Sequence, residues 1–160
     1  NNVQVQNKIP NDVYSLNIKE LLNQKAELKI SDPSKPTVLI YHSHSTECYT
    51  LLDAGYYTES TDSKTKDITR NMVRVGDDIC RILGARGIGV IHDREIHDSS
   101  YNAAYDSSRK SVAQYLEKYP SIEITIDVHR DSITYKNGTK VKPTATVNGK
   151  KAAKMMIISA

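Results

Sequence analysis

VLIYHSHSTE, residues 38–47, is the stretch around which the chain is organised. Its first four residues form a short apolar run, which is typical of a buried strand. Two histidines and a glutamate follow directly, at positions 42, 44 and 47. In an open α/β sheet, ligands bind just beyond the carboxyl ends of the strands, and two histidines with one glutamate form a known zinc-binding set. The stretch therefore predicts a strand that delivers metal ligands at its end.

The composition is that of one ordinary globular domain. The 160 residues include 22 basic and 19 acidic ones, and the formal net charge of +3 is too small to indicate nucleic acid as a partner. No apolar run approaches the ~18 residues of a membrane span. The chain begins with Asn1 rather than Met, so we expect a mature or excised domain. Cys48 and Cys80 lack CxxC spacing, and we expect two thiols rather than a disulfide.

The first 30 residues are predicted to be a polar leader with one short helix. Apolar residues between positions 16 and 22 fall on roughly one helical face. Asn17 is the predicted N-cap, and the helix is expected to end near Lys25.

Residues 31–160 form the predicted main domain, in which strands and helices alternate. The expected strands cover residues 37–41, 88–91 and 122–128. The first two are joined by a helix that Asp67 or Thr69 caps and Gly87 ends. The last two are joined by a helix over 102–118, with Tyr101 and Tyr105 on its inner face. This order predicts an α/β fold with a central, mostly parallel sheet flanked by helices. The polar loop over 45–66 is expected to wall a substrate groove.

Two β-hairpins are predicted after the last of these strands. They cover residues 132–141 and 144–158, around Asn137-Gly138 and Asn148-Gly149. Both dipeptides favour the type I′ turn.

Histidines gather at the predicted strand ends. Four of the five, His42, His44, His92 and His129, lie within about two residues of such an end. His44 and Glu47 face one point if the chain turns sharply after the strand, and His129 arrives from another strand. Three protein ligands leave a fourth position for water, whose pKa zinc lowers to about 7. The pattern predicts zinc-assisted hydrolysis of an amide or similar bond.

Other interpretations of these residues stay open at the level of sequence. HxH and HxxE patterns also arise by chance, and spacing alone does not separate His42 from His44. Residues 92–98 fit either a solvated loop or the rim of a groove. A metal phosphoesterase built on HxH and a scaffold domain with a degenerate site are the rival functions.

Four stretches carry a family resemblance: TVLIYHSHSTECY (37–49), residues 68–93, residues 101–132 with DVHRDS at their end, and KPTATVNGKKAAK (142–154). They resemble the stage II sporulation protein P family, which is similar to the zinc-dependent N-acetylmuramoyl-L-alanine amidases. YHxHxxE and DxHRD together are more specific than either motif alone.

The resemblance implies a peptidoglycan hydrolase that cleaves the amide between N-acetylmuramic acid and L-alanine, with endopeptidase activity on cross-links. It implies Zn²⁺ as cofactor, and peptidoglycan, a lytic transglycosylase and other sporulation membrane proteins as partners. The expected location is extracytoplasmic, at the outer face of the mother-cell membrane during engulfment, with a membrane anchor in the full-length protein. We expect a monomer or a weak oligomer.

By position, the resemblance implies that His44 and His129 are the zinc histidines. Glu47 is the expected third ligand, with Asp67 as its competitor. Arg130, Asp131 and His42 are expected to shape the substrate groove. The amidases carry a catalytic glutamate after a final helix, and no counterpart is found before Ala160, as if the C-terminal part were missing. Because general-base help is worth roughly 10²–10⁴-fold, we expect this chain to hydrolyse its substrate weakly or not at all.

Overall fold

The computed structural model describes residues 8–10, 12–13, 15, 17–25, 32, 34–49, 63–154 and 156. The chain divides into two compact units, residues 1–31 and 32–160. Helix α1 (Ile18–Asn23) belongs to the first, and its N-cap is Asn17, as predicted. The Asn17 side chain accepts the Glu20 N–H at 3.2 Å, which satisfies one of the unpaired donors at the helix start.

A three-stranded parallel sheet lies at the centre of the second unit. Strand β1 (Val38–Tyr41) lies between β2 (Val90–His92) and β3 (Ile124–Asp127), which confirms the predicted fold class. Val38, Leu39 and Ile40 are buried. A central strand covered on both faces has no solvent side, which explains why its apolar run is continuous rather than alternating. Because the strands are parallel, the segments that follow them all begin at one edge of the sheet.

Helix α2 (Met72–Gly84) lies between β1 and β2 in the chain and buries Met72, Val73 and Gly76. Its N-cap is Asn71, whose side chain accepts the Val73 N–H at 3.0 Å. The prediction that Asp67 or Thr69 caps it is wrong, because these two residues bond each other in the preceding turn.

The end of α2 follows the predicted glycine. Gly87 has a φ of 76°, which is the left-handed conformation that glycine tolerates best. The Gly87 N–H bonds the Gly84 carbonyl, and the Ile88 N–H bonds the Leu83 carbonyl. These two bonds are those of a Schellman motif, which closes the helix and turns the chain towards β2.

Helix α3 (Ala104–Lys118) follows a 3₁₀ turn over Tyr101–Ala103. Its buried residues are Ala104 and Ser108, one turn apart. The prediction that Tyr101 and Tyr105 lie on the inner face is wrong, since their exposed fractions are 65% and 63%. Small side chains allow the helix to approach the domain closely, and the tyrosine rings lie at the rim instead.

Two hairpins follow β3, as predicted: β4 (Ile133–Thr134) with β5 (Lys140–Val141), and β6 (Thr144–Val147) with β7 (Lys150–Ala153). Asn148 and Gly149 have φ values of 51° and 76°, which fit the expected type I′ turn. At Asn137-Gly138 that turn is wrong, because only Gly138 has a positive φ there and residues 135–139 form the connection. The last predicted residues of the second hairpin, 155 and 157–158, lie outside the described part.

Two smaller expectations concern the membrane and the cysteines. Within the described ranges, none of the helices is both long and apolar enough to cross a membrane. Cys48 and Cys80 are thiols and not a disulfide. Burial raises the pKa of the Cys80 thiol to about 11, so this residue is protonated at neutral pH.

The contact between α2 and the sheet predicts that Gly76 tolerates no larger residue. A Cβ at this position would lie 2.7 Å from His42 Nε2 and closer still to His92 Nε2. We expect Gly76→Ala to lower the free energy of unfolding by about 1–3 kcal/mol, the usual cost of overpacking. Urea unfolding of the metal-free protein measures it.

Gly84→Ala on the same helix is the matched control. A Cβ there meets nothing within 4 Å. Because alanine favours the helix over glycine, this variant should be unchanged or more stable by up to about 1 kcal/mol. Equal unfolding midpoints for the two variants would contradict the close approach at Gly76.

Candidate metal centre

The turn after β1 brings the backbones of His44 and Glu47 together. The Glu47 N–H bonds the His44 carbonyl at 3.1 Å, so the chain reverses within four residues. His44 is 5% exposed, and its Nδ1 is buried with no hydrogen-bond partner among the described residues. A buried polar atom without a partner is costly, and native proteins rarely keep one without a function. A metal ion at Nδ1 would satisfy it.

The end of β3 brings His129 to the same place. His129 Nδ1 lies 3.6 Å from Glu47 Oε2, and the rings of His44 and His129 have centroids 5.4 Å apart. A separation of 3.6 Å is long for a hydrogen bond. It is close to the roughly 3.3 Å that separates two ligand atoms bound tetrahedrally to one zinc ion. The donor types and the spacing of Glu47 and His129 suit zinc, although the ligand atoms of His44, Glu47 and His129 do not all lie within 4.8 Å of one another.

Two tyrosines cover the His44 ring. Tyr101 stacks on it with centroids 4.8 Å apart, and Tyr105 meets it edge to face at 5.1 Å. Both rings are largely exposed on their other sides, so they form the rim of the site. Sequence analysis missed this role, because helical periodicity treats a tyrosine as a core residue.

The charges around His129 favour its protonated form when no metal is bound. Asp127 first, and then Glu47, raise the pKa of His129 to about 9. Burial raises the pKa of Glu47, but contacts with His129 and the Arg130 N–H outweigh it and leave that pKa below its usual value. The pKa of Asp127 is lowered in the same way, by His129 and Ser43 against burial.

His42 lies beneath the site and supports it. The residue is fully buried, and its Nδ1 donates to the Val128 carbonyl at 2.9 Å. Its Nε2 lies 2.9 Å from His92 Nε2, and His92 Nδ1 lies 3.0 Å from Asp77. Burial lowers the pKa of both histidines. Both nitrogens of His42 are therefore engaged, and one of them bonds the backbone beside His129.

Residues 93–98, between β2 and α3, hold the 45–46 segment from the other side. The Ser45 hydroxyl donates to the Glu95 carbonyl at 2.8 Å, and the His97 N–H donates to the Ser45 hydroxyl at 3.1 Å. Thr46 donates its N–H and its hydroxyl to Asp98. Asp93, His97 and Asp98 are all buried, so a solvated loop is the wrong interpretation of them.

Among the described residues, Asp93, Glu95 and His97 form the group whose ligand atoms lie close enough to one another to bind a metal ion. Each offers a ligand atom within 4.8 Å of the others. Two of the three are already bonded: Asp93 Oδ2 lies 2.9 Å from His97 Nε2 and accepts the Ser111 hydroxyl, and His97 Nδ1 lies 3.1 Å from the Ser107 hydroxyl. The buried Asp93 and His97 of this Asp–Glu–His group are therefore satisfied without a metal ion, whereas His44 Nδ1 is not.

Arg130 and Asp131 follow His129. The Arg130 N–H donates to Glu47 Oε2 at 3.2 Å, and its guanidinium donates to the Ser63 carbonyl at 2.8 Å. Its Nε is buried and without a partner in the described part. Asp131 is exposed and accepts the Ser132 N–H at 2.7 Å. Arg130 thus orients Glu47 through its backbone.

Asp67 and the 45–66 loop are the remaining parts of the predicted site. Asp67 is exposed and accepts the Thr69 N–H and hydroxyl at 3.0 and 2.7 Å, whereas Glu47 is the carboxylate beside His129. Bridges between Glu47 and Lys64, and between Cys48 and Asn71, join the two ends of the loop. Residues 50–62, which include two of its tyrosines, lie outside the described residues.

Comparison with known proteins identifies relatives. The family model described as stage II sporulation protein P matches residues 2–160. The chain is similar to stage II sporulation protein P of Bacillus subtilis (strain 168), with 31% identity over 142 residues, which are 84% of this chain and 33% of that protein. The chain thus spans about a third of the length of this curated relative. No solved structure matches the chain.

The raised pKa of His129 predicts a pH dependence for the metal-free protein. A folded-state pKa of about 9, above the usual 6.5, means that charged His129 stabilises the fold fully below pH 6.5. This contribution is lost as the pH rises through about 9. In a chelator, the stability advantage of the parent over His129→Gln should therefore shrink across this interval, as measured by urea unfolding.

His92→Gln is the control for this prediction. Because burial lowers the pKa of His92, its neutral form is the one that the fold favours. Its contribution should stay constant above pH 6.5. The assigned charges would be contradicted if the free energy of unfolding of the parent exceeded that of His129→Gln by the same amount at every pH.

Proposed function

The chain belongs to the stage II sporulation protein P family, and from this membership we propose that it is a zinc-dependent peptidoglycan hydrolase. One observation carries the zinc centre. The buried, unpartnered Nδ1 of His44 lies at the same edge of the sheet as Glu47 Oε2 and His129 Nδ1, which face each other at 3.6 Å without a direct hydrogen bond. His44, Glu47 and His129 would hold the ion.

These ligands suit zinc chemistry. Two imidazoles and one carboxylate leave a fourth position open, as in catalytic rather than structural zinc sites. When bound, zinc acts as a Lewis acid and lowers the pKa of a water molecule to about 7. One carboxylate ligand leaves the ion with a net positive charge, which favours attack on a polarised carbonyl.

The surrounding residues orient the ligands and limit access of water. The Arg130 N–H fixes Glu47 Oε2 from one side. Tyr101 and Tyr105 cover the His44 ring. The Lys64 ammonium lies 4.8 Å from the centroid of the Tyr101 ring, and it also pairs with Asp98 at 3.7 Å. The two tyrosines and Lys64 thus form an aromatic and cationic rim, which suits a substrate that combines sugar rings with acidic peptides.

The proposed reaction is hydrolysis of the amide between N-acetylmuramic acid and L-alanine, with cleavage of peptide cross-links as a second activity. Family membership supports this choice of substrate. We also propose that the chain acts outside the cytoplasm during sporulation, anchored to the membrane in the full-length protein and together with a lytic transglycosylase.

Metal content tests the centre. We expect about one zinc per chain in the purified protein, as in mononuclear catalytic sites, and its loss in His44→Ala, Glu47→Gln and His129→Ala. Elemental analysis after exhaustive dialysis measures it. Circular dichroism and urea unfolding show whether each variant remains folded.

Glu95→Gln is the matched control, because Glu95 is a carboxylate of the competing Asp–Glu–His group. It should keep its zinc. Loss of zinc in Glu95→Gln but not in Glu47→Gln would move the metal to that group. A parent protein without metal would contradict the proposal and favour a peptidoglycan-binding scaffold.

Activity on purified peptidoglycan tests the reaction. We expect slow, zinc-dependent release of stem peptides that a chelator abolishes, and separation of the products by mass shows which bond was cut. Glu47→Gln should reduce release by more than the 10–100-fold typical of a residue outside the metal's direct ligands. Release that persists in the chelator would contradict the proposed mechanism.

A further inference from the structure

We propose that Asp127 is a positioning residue that keeps a proton on His129 Nε2, so that the lone pair of His129 Nδ1 is directed at the metal. The inference rests on the proposed function. It assigns a role to the first residue of the DxHRD motif, a residue to which neither the spacing nor the family resemblance gave one.

Asp127 joins the two chain segments that carry the ligands. It is the last residue of β3, and in the parallel register it pairs with Tyr41, the last residue of β1. Its Oδ1 accepts the Ser43 N–H at 2.9 Å, and its Oδ2 accepts the Ser43 hydroxyl at 2.7 Å. Because Ser43 directly precedes His44, one carboxylate fixes the position of the His44 segment relative to β3.

The same carboxylate determines which nitrogen of His129 is protonated. His129 Nε2 lies 2.8 Å from Asp127 Oδ2 and 3.0 Å from the Ser43 hydroxyl oxygen. An ionised carboxylate only accepts, and the single hydroxyl proton of Ser43 is already donated to Asp127. Both neighbours of Nε2 are therefore acceptors, so Nε2 carries the proton. In a neutral imidazole, Nδ1 then holds the free lone pair.

This tautomer matters because two carboxylates compete for the proton. Glu47 Oε2 faces Nδ1 at 3.6 Å and would attract the proton of a neutral ring to that nitrogen. A proton on Nδ1 would occupy the lone pair that a metal needs. Asp127 favours the opposite tautomer, in the arrangement of carboxylate, histidine and metal that recurs in metalloproteins.

The direct test is the zinc affinity of Asp127→Asn, measured by competition with a chromophoric chelator. The amide keeps the size of the side chain, but it can donate to Nε2 and so shift the proton to Nδ1. We expect affinity to fall 10–100-fold, the usual effect of losing such a partner. The absorption spectrum of the cobalt-substituted protein should change with it, because the His129 ligand is displaced or reoriented.

Asp98→Asn separates this role from general support. Asp98 is also a buried carboxylate that bonds the 42–47 segment, through Thr46, but no contact joins it to His44, Glu47 or His129 in the described structure. Its substitution should reduce stability and leave zinc affinity unchanged. An equal loss of affinity in both variants would overturn the proposal and reduce Asp127 to a structural residue.

A measurement on the unmodified protein keeps the test decisive if Asp127→Asn does not fold. Nitrogen-15 NMR of the histidine rings in the zinc-loaded protein should show His129 metallated at Nδ1 and protonated at Nε2. Zinc on Nε2, or unchanged affinity in Asp127→Asn, would overturn the role of Asp127 and leave the zinc centre standing. Failure of the parent to bind zinc would instead overturn the proposed function, and this role with it.

Discussion

The parallel pairing of β1 with β3 is the constraint on which the rest of the site depends. Its register sets Tyr41 beside Asp127, so the chains that leave the two strands start side by side. A slip of one residue would turn every side chain to the other face of the sheet. Ser43 would then lose Asp127, and His129 would lose Glu47. The buried apolar residues of β1 stabilise this register, so the hydrophobic core and the polar site are specified together.

The interior around that edge of the sheet is unusually polar, and two of its polar atoms in the described residues have no hydrogen-bond partner. Residues 42–46 are all buried, although each of them is a histidine, serine or threonine. Burial of such groups is tolerated only when they are hydrogen-bonded, and a fully bonded network is rigid. Asp127, Asp98 and the residues after β2 supply those bonds. The unsatisfied atoms found in the described residues, His44 Nδ1 and Arg130 Nε, both belong to residues at the proposed metal centre.

Sequence reasoning was most successful where a local pattern has one solution. The continuous apolar run predicted β1, Gly87 predicted the end of α2, and Asn148-Gly149 predicted its turn. It failed where several local choices are equivalent. Asp67, Thr69 and Asn71 are all competent caps, and the mutual bonds of the first two decide between them. Helical periodicity also could not show that small residues of α3, rather than its tyrosines, face inward.

The sequence was enough to predict which residues are candidates for the site. It was not enough to predict which of them lie next to one another. The family resemblance predicted the two candidate zinc histidines and Glu47. Only the contact between Glu47 and His129, which are 129 − 47 = 82 positions apart, favours Glu47 over Asp67 at the proposed centre. The burial of Asp93 and His97 depends on Ser111 and Ser107, which lie on α3. Such long-range partners leave no periodic signal in the chain, so the support around the site was invisible to pattern analysis.

The most direct measurement is anomalous X-ray diffraction at the zinc absorption edge, from crystals of the zinc-loaded protein. A zinc ion at the proposed centre would give a strong anomalous peak within bonding distance, about 2.0–2.2 Å, of His44, Glu47 and His129 Nδ1. A peak at Asp93, Glu95 and His97 instead, or no peak at either group, would contradict it.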